Sequence, residues 1–433
     1  MKNVIVILLC FATLNIFAQA PGVPVPAKEQ TKRYIISGAT IHIGNGELIK
    51  NGYIEFDKGK IIEVGKASEM GPKNPSVDLI DATGKHIYPG IIAPGTTLGL
   101  NEINAVRATK DEREVGNLNP NVRSIVAYST DSRVTPTVKS NGVLLAQITP
   151  VGGLISGTSS IVELDAWNWE DAAYKINDGL HLNWPKTNTR NKVKKNTNLK
   201  KMEIKRAERL IELDNLLNDA YAYAQKDNYD AKNLKLEAMR GLFDGKQQLF
   251  VHTSYAKSII ESVLFLKKHH IAKIIIVGGR DSWMITDFLK EHHISIILAN
   301  VHSLPVNYAD DIDLPYKTPY LLQKAGVQYC LGINGAWEQR NLMFLAGTGV
   351  TYGLTKEEAL ASITLNTAKI LGIDKSVGSI EVGKDATFIV SEGDVLDMRT
   401  SIITQAFIRG KNLSLTNKQK ALYQKYYDKY WGN

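Results

Sequence analysis

The sequence predicts an α/β protein, a (β/α)8-type barrel with a small β-domain in front of it. From about residue 86 onward, apolar strand-like runs alternate with segments of helical period, as in repeated strand-helix units. This region spans about 280 residues, which suits a (β/α)8 barrel better than an open sheet, although periodicity alone fits both. Before it, residues 34–64 form short β-type runs separated by turn pairs such as Asn45-Gly46 and Asn51-Gly52.

Composition limits the class of protein. The chain has 433 residues, enough for a large buried core, and only two cysteines. Two cysteines exclude a disulfide framework and a Cys-rich zinc site. Cys10 lies in a segment that we expect to be removed, which leaves Cys330, inside an apolar strand, as the one thiol of the mature chain.

Positive charge is concentrated in one tract. Residues 186–206 contain nine basic residues and one acidic residue, which equals the whole net charge of +8. We interpret this tract as a solvated loop that leads into a helix, and we expect no nucleic-acid partner. A weaker alternative is an anchor for the cell envelope or another polyanion, which would bind in a salt-dependent manner.

The first residues resemble a secretory signal. Residues 1–20 carry Lys2, an apolar run from Val4 to Phe17 and a final Ala18-Gln19-Ala20, and a Pro-containing linker fills residues 21–33. The apolar run is shorter than the roughly 20 residues that a spanning helix needs. We therefore expect an exported protein, periplasmic or secreted, without a transmembrane segment.

The elements follow in order along the chain. A long helical excursion covers residues 202–242, a last barrel helix runs from Thr355 to Leu371, β-type sequence returns from Gly378 to Ile408, and a tail helix spans Asn417 to Trp431. The strand candidates of the barrel are His86 to Ile92, Val143 to Ile148, Leu249 to His252, Lys273 to Val277, Ser295 to Leu298 and Val327 to Leu331.

Three segments carry a family resemblance. Residues 80–92 (IDATGKHIYPGII), residues 353–360 (GLTKEEAL) and residues 378–386 (GSIEVGKDA) resemble the amidohydrolase superfamily, specifically its imidazolonepropionase-like, metal-dependent hydrolase branch. The resemblance implies a TIM-like barrel plus a small composite β-sandwich built from both chain ends. The expected bounds are 34–88 and 373–412 for the two sandwich parts, 89–372 for the barrel with an excursion at 186–242, and 413–433 for the tail.

The resemblance also implies a chemistry. This family hydrolyses C–N bonds of small molecules with water activated by zinc or another divalent metal held at the carboxyl ends of barrel strands. His252 matches the fifth-strand histidine ligand. The other ligand positions match residues that are poor or impossible ligands, namely Gly95, Thr97, Gly278 and Asn334. One imidazole does not hold a catalytic zinc, which needs about three protein ligands, so we expect no bound metal or other cofactor.

A candidate pocket remains at the barrel mouth. Its expected residues are Thr97, Glu102, His252, Arg280 and Asn334, and no residue is assigned a catalytic role. His252 is interpreted as a remnant ligand, a hydrogen-bond donor to substrate or a satisfied buried histidine. Arg280 is either an anion binder or an ordinary surface charge.

Two further groups near the mouth have open interpretations. The acidic residues after the first strand (Glu102, Asp111, Glu112 and Glu114) could rebuild a site with His252 or be solvated loop charges paired with Arg107, Lys110 or Arg113. The Gly-rich segment 152–158 resembles a loop over the mouth. Trp167 and Trp169, which follow it, could line a pocket or pack that loop against the barrel.

Two functional hypotheses result. The first is an exported, metal-free, catalytically degenerate member of the superfamily, a pseudoenzyme that binds a small-molecule ligand or associates with an intact amidohydrolase relative. The alternative is an active C–N hydrolase with a relocated site around His252.

Overall fold

The structure is a computed structural model that describes residues 25–71, 77–186, 199–226, 231–299 and 301–432. The expected signal segment and residues 187–198 of the basic tract lie outside the described residues. None of the helices in the described ranges combines the length and the apolar character that a bilayer crossing requires.

Sixteen strands are present in the described ranges. They are β1 (Tyr34–His42), β2 (Leu48–Asp57), β3 (Lys60–Lys66), β4 (Asp78–Asp81), β5 (His86–Pro89), β6 (Ile91–Thr96), β7 (Val143–Ile148), β8 (Ile155–Glu163), β9 (Ala173–Asn183), β10 (Gln248–Thr253), β11 (Ile274–Gly278), β12 (Ser295–Leu298), β13 (Tyr329–Leu331), β14 (Phe388–Ser391), β15 (Ile403–Ile408) and β16 (Lys411–Asn412).

The α-helices lie between and after these strands. In the described ranges they are α1 (Thr135–Lys139), α2 (Trp169–Ala172), α3 (Leu199–Ala224), α4 (Leu234–Glu237), α5 (Ala256–Lys268), α6 (Thr286–Glu291), α7 (Leu314–Lys324), α8 (Leu342–Thr351), α9 (Lys356–Ala361), α10 (Leu365–Leu371) and α11 (Lys418–Trp431).

The barrel is an eight-stranded sheet in sequential order from β6 to β13. Every residue of β7 and β8 is buried, as expected for strands covered on both faces. The predicted fold class, a TIM-like barrel with a second sheet, is confirmed. One feature differs from a regular (β/α)8 barrel, because β8 pairs antiparallel with both β7 and β9. Strands β7, β8 and β9 therefore follow one another with little helix between them.

The first and last strands of the barrel are joined through a short chain segment. The backbone N–H of Ile92 in β6 donates to the carbonyl of Ile363 at 3.0 Å, and that of Leu331 in β13 donates to the carbonyl of Ser362 at 3.0 Å. We predicted one helix from Thr355 to Leu371, and the structure divides it into α9 and α10. The break lies where these two carbonyls bond to the strands instead of continuing a helical ladder.

The second sheet combines both ends of the chain, in the order β16-β15-β14-β5-β1-β2-β3 with β4 on β1. Phe56 in β2 and Phe388 in β14 are three strands apart, which corresponds to roughly 14 Å in a flat sheet. Their ring centroids are nevertheless 5.3 Å apart. The sheet is therefore folded over on itself around its own apolar core, and it forms the small sandwich domain.

Candidate functional site

The positions that match the family's metal ligands lie at one end of the barrel. Gly95 and His252 are the penultimate residues of β6 and β10, Gly278 ends β11, and Asn334 follows β13 by three residues. Carboxyl ends of parallel strands meet at the same edge of a barrel. These residues therefore lie at the mouth of the barrel, where the sequence predicts them.

His252 is paired with a second histidine, His181 in β9. Nδ1 of His181 lies 2.9 Å from Nε2 of His252, and the ring of Phe250 stacks on His181 at a centroid distance of 4.8 Å. His181 is fully buried, whereas His252 keeps part of its surface open to solvent. The parallel pairing of β9 with β10 sets His181 opposite Phe250, two residues before His252 and on the same face.

Both imidazoles are held in the neutral form. Burial lowers the pKa of His252 to about 4 and holds the pKa of His181 well below its usual value, with the neighbouring His252 as a further cause for His181. Nε2 of His181 is buried and has no hydrogen-bond partner among the described residues. The pair therefore shares a single hydrogen bond and leaves one buried ring nitrogen unused.

Sequence analysis did not assign a role to His181. Strand β9 was not predicted, so no neighbouring strand indicated a partner for His181. The alternation of Gly179, Leu180, His181 and Leu182 after an acidic residue is the signal that could have identified the strand.

At two of the positions that match metal ligands, the backbone has a positive φ, which residues with a side chain rarely adopt. Gly278 has φ +108°, and a Cβ there would lie 2.7 Å from Oγ of Ser254 and 2.8 Å from the carbonyl of Thr253. Gly95 has φ +65° with open space around the Cβ position. A histidine is excluded sterically at the first position and is strained at the second.

A buried polar network occupies the strand edges beside Gly95. Its backbone N–H donates to Oε1 of Gln147 at 3.0 Å, and Nε2 of Gln147 donates to Oδ2 of Asp178 at 2.7 Å. The hydroxyl of Ser159 donates to Oδ1 of Asp178, also at 2.7 Å. Burial raises the pKa of Asp178 to about 6, although these two hydrogen bonds oppose the shift.

Thr97 and Asn334 flank the contact between the first and last strands. The hydroxyl of Thr96 donates to the carbonyl of Gly335 at 2.9 Å, which ties the end of β6 to the turn after β13. Thr97 is half-buried beside this contact, and Asn334 precedes Gly335 in the turn. Both residues therefore lie at the mouth, next to a hydrogen bond that joins the first and last strands of the barrel.

The acidic residues after β6 are held within their own loop. Oε2 of Glu102 accepts from the backbone N–H of Arg133 at 3.2 Å, and Oε2 of Glu112 accepts from Nδ2 of Asn101 at 3.1 Å. Asp111 and Glu114 are exposed. Among the described residues, the side chain of His252 hydrogen-bonds to His181 and not to this loop.

Arg280 follows β11 and is fixed by two neighbours. Its Nε donates to Oδ1 of Asp281 at 2.9 Å, and its guanidinium carbon lies 4.5 Å from the ring centroid of Tyr255. Nη2 is buried and makes no hydrogen bond within the described residues. The guanidinium is therefore preoriented, with one donor nitrogen unused.

The predicted mouth loop is present, but the tryptophans lie elsewhere. Nδ2 of Asn183, at the end of β9, donates to the carbonyl of Gly153 at 3.1 Å, which places segment 152–158 at the mouth. Because β8 runs antiparallel, Glu163 pairs with Leu145 near the start of β7. Trp167 and Trp169 follow at the opposite end of the barrel, so the expectation that they line the mouth or pack its loop is wrong.

The residues at the mouth do not fit a divalent metal. No group of three or more His, Cys, Asp or Glu side chains in the described ranges is arranged to hold one. Nε2 of His252 is bonded to a second imidazole, and two of the family's ligand positions are glycine. Neither the residue types at these positions nor their arrangement fits the metal chemistry that the family resemblance implies.

Comparisons with known proteins show what the chain is similar to. A model described as "Amidohydrolase family" matches residues 323–413. The imidazolonepropionase of Fusobacterium nucleatum is 24% identical over 386 residues, which is 81% of this chain and 87% of that protein. The imidazolonepropionase of Shewanella sp. (strain ANA-3) is 44% identical over 72 residues, which is 16% of this chain and 18% of that protein.

A solved structure supports the fold. The amidohydrolase from Thermotoga maritima MSB8 superposes with a TM-score of 0.76 at 21% identity, over 88% of this chain and 99% of that one. This likeness concerns the fold alone. The match to the Shewanella relative spans less than a fifth of the relative's length.

Proposed function

We propose that this chain, which matches the amidohydrolase family over residues 323–413 and is similar to imidazolonepropionases, binds a small molecule at the barrel mouth without a catalytic metal. The family's hydrolysis depends on a metal-activated water. A protein that keeps the barrel and its mouth but lacks the metal-coordinating side chains can still bind a small molecule there.

The backbone at Gly278 carries this proposal. A side chain at φ +108° would collide with Ser254 and the carbonyl of Thr253. The backbone at this position is therefore closed to the histidine that the family resemblance implies there. A single substitution does not supply that ligand.

Two unused polar atoms support ligand binding. Nε2 of His181 and Nη2 of Arg280 are both buried and unpaired among the described residues, near the ends of β9 and β11. A buried polar group without a partner costs about 1–3 kcal/mol. A ligand that forms hydrogen bonds with both atoms would recover that cost, and the Arg280 donor favours an anionic or carbonyl group.

The alternative is a C–N hydrolase with a relocated site around His252. The neutral imidazole pair favours it, because a general base must be unprotonated. A pKa of about 4 weakens it, since a base works best when its pKa lies near the working pH. We therefore place ligand binding first.

A partner at the mouth is a further part of the proposal. Leu304, Tyr308 and Ile312, in the loop after β12, are 76%, 107% and 67% exposed. Exposed apolar side chains grouped in one loop suit association with another protein, such as an intact amidohydrolase relative. Export to the periplasm or beyond is proposed from residues 1–20 alone.

Elemental analysis of the purified chain tests the metal-free state, with an active imidazolonepropionase as the positive control. We expect far less than one metal ion per chain and no change in Tm on chelation. Near-stoichiometric zinc that is lost together with hydrolase activity would contradict the proposal.

Ligand binding is tested separately by thermal shift with a panel of small amides and carboxylates. A compound that raises the Tm of the wild type is expected to have no such effect on His252→Ala. The matched control is His292→Ala, whose ring packs on Phe288 between α6 and the start of β12, at the end of the barrel opposite the mouth. A compound that stabilises both variants equally would show that it binds elsewhere.

A further inference from the structure

Helix α11 projects from the protein without burying any of its residues. All of its 14 residues are exposed, and Leu422, Tyr423 and Trp431 are 43%, 68% and 72% exposed. Isolated helices of this length are marginal in water, and most helices are stabilised by packing one apolar face. The exposed helix therefore offers a face for another surface.

The aromatic residues of this helix form one stripe. Tyr423, Tyr426, Tyr427, Tyr430 and Trp431 follow the spacing i, i+3, i+4, i+7 and i+8, which brings them to one side of the helix. The ring of Tyr427 lies 5.8 Å from that of Tyr423 and 6.0 Å from that of Trp431. The stripe is continuous over the last two and a half turns.

The other side of the helix is basic. Lys418, Lys425 and Lys429 share one face of the helix, because spacings of seven and four residues bring side chains to the same side. Lys425 is two residues from both Tyr423 and Tyr427, which is about half a turn, so this face lies opposite the stripe. With Lys420 and the single acidic residue Asp428, the helix has four positive charges and one negative charge.

We propose that helix α11 docks the protein on an anionic lipid surface. Tyr and Trp are the side chains that settle at the headgroup level of a bilayer, and a basic polar face opposite an aromatic face is typical of helices that lie in that plane. The excess of lysine complements anionic lipid. The same excess opposes pairing with a second copy, which would bring two cationic helices together.

The attachment of the helix sets the orientation of the docked protein. Nδ2 of Asn417, the N-cap residue, donates to Oγ of Ser140 at 2.8 Å, and Oγ1 of Thr137 donates to Oε1 of Gln419 at 2.9 Å. Ser140 precedes the start of β7, at the end of the barrel opposite the mouth. Docking through α11 therefore leaves the mouth directed away from the lipid.

Vesicle sedimentation tests the proposal with the full chain. We expect binding to vesicles of phosphatidylglycerol and phosphatidylcholine and much weaker binding to phosphatidylcholine alone. Tyr423→Ser/Tyr427→Ser/Trp431→Ser should weaken binding by more than about tenfold. Lys425→Gln/Lys429→Gln should weaken it by about 30-fold, since each lysine near an anionic surface contributes about fivefold.

The matched control is Leu304→Ser/Tyr308→Ser/Ile312→Ser, which removes equally exposed apolar side chains at the other end of the barrel. It should bind vesicles like the wild type, and the far-ultraviolet circular dichroism of all variants should match. The proposal is overturned if the wild type stays in the supernatant with anionic vesicles or if the aromatic variant still sediments. A dimeric wild type that the aromatic substitutions convert to a monomer, by light scattering, would also overturn it.

Discussion

His181 and His252 are hydrogen-bonded to each other across two neighbouring strands of the barrel, with 2.9 Å between Nδ1 of His181 and Nε2 of His252. The family resemblance implies that the fifth-strand histidine has a nitrogen free to bind a metal. Here that nitrogen is committed to another imidazole inside a desolvated site. The pair accordingly affects stability and pH dependence in ways that can be measured.

His252→Gln should make stability less sensitive to acid. The unfolded chain binds a proton at a histidine near pH 6.5, whereas folded His252 does so only near about 4, so the free energy of unfolding falls as the pH drops through this window. We expect the wild type to lose about 1–2 kcal/mol more than the variant between neutral pH and about pH 5. Denaturant unfolding at both values measures this, and His292→Gln, at a helix end, should behave like the wild type.

Asp178→Asn should stabilise the protein at neutral pH. Burial raises the pKa of Asp178 to about 6, so its charged form opposes folding above that pH, and the penalty vanishes below the unfolded value near 4. An amide can still accept from Gln147 and donate to Ser159. We expect a gain of about 1–3 kcal/mol at neutral pH and none below about pH 4. A loss of stability at neutral pH would show that the carboxylate is needed for the network.

Gly278→Ala should destabilise the protein much more than Gly95→Ala. At Gly278 the methyl group meets Ser254 and the carbonyl of Thr253 at a positive φ, which we expect to cost about 3 kcal/mol or more. At Gly95 nothing lies within 4 Å, so only the cost of the left-handed backbone remains, about 1–2 kcal/mol. Equal losses in denaturant unfolding would contradict the backbone explanation for the missing ligands.

Lys139 and Asp165 form a buried ion pair at 2.5 Å, and Asp165 also accepts from the backbone N–H of Ala27. Lys139→Met should destabilise by about 3–5 kcal/mol, because it leaves a carboxylate buried without its cation. The double variant Lys139→Met/Asp165→Leu should recover most of this loss. If the double variant is as unstable as the single one, the pair contributes through packing and not through charge.

Much of the fold could be predicted because it depends on local pattern. The apolar runs at β7, β10, β11 and β12 fall where the sequence placed them, since buried strands need continuous apolar residues. Cys330 lies buried in β13 as expected, and burial raises the pKa of its thiol to about 12. Strands β8 and β9 were missed, because polar residues such as Ser159 and Asp178 interrupt their apolar pattern.

The candidate site was predicted only in part. From the sequence we expected His252 and Gly278 at the barrel mouth, and both lie at the carboxyl ends of their strands, β10 and β11. The sequence did not identify His181 or the Gln147 network, since these partners come from separate strands. It also misplaced Trp167 and Trp169, because the direction of β8 follows from sheet pairing and not from composition.

By itself, then, the sequence determined the class of fold and the resemblance to the amidohydrolase superfamily, because these reside in local pattern and motif. Only the tertiary structure decided that His252 is bonded to His181, that Gly278 has a backbone conformation closed to side chains, and that α11 leaves the barrel opposite its mouth. These are relationships between segments distant along the chain. Hydrogen-bond geometry and steric exclusion set them once the strands are paired.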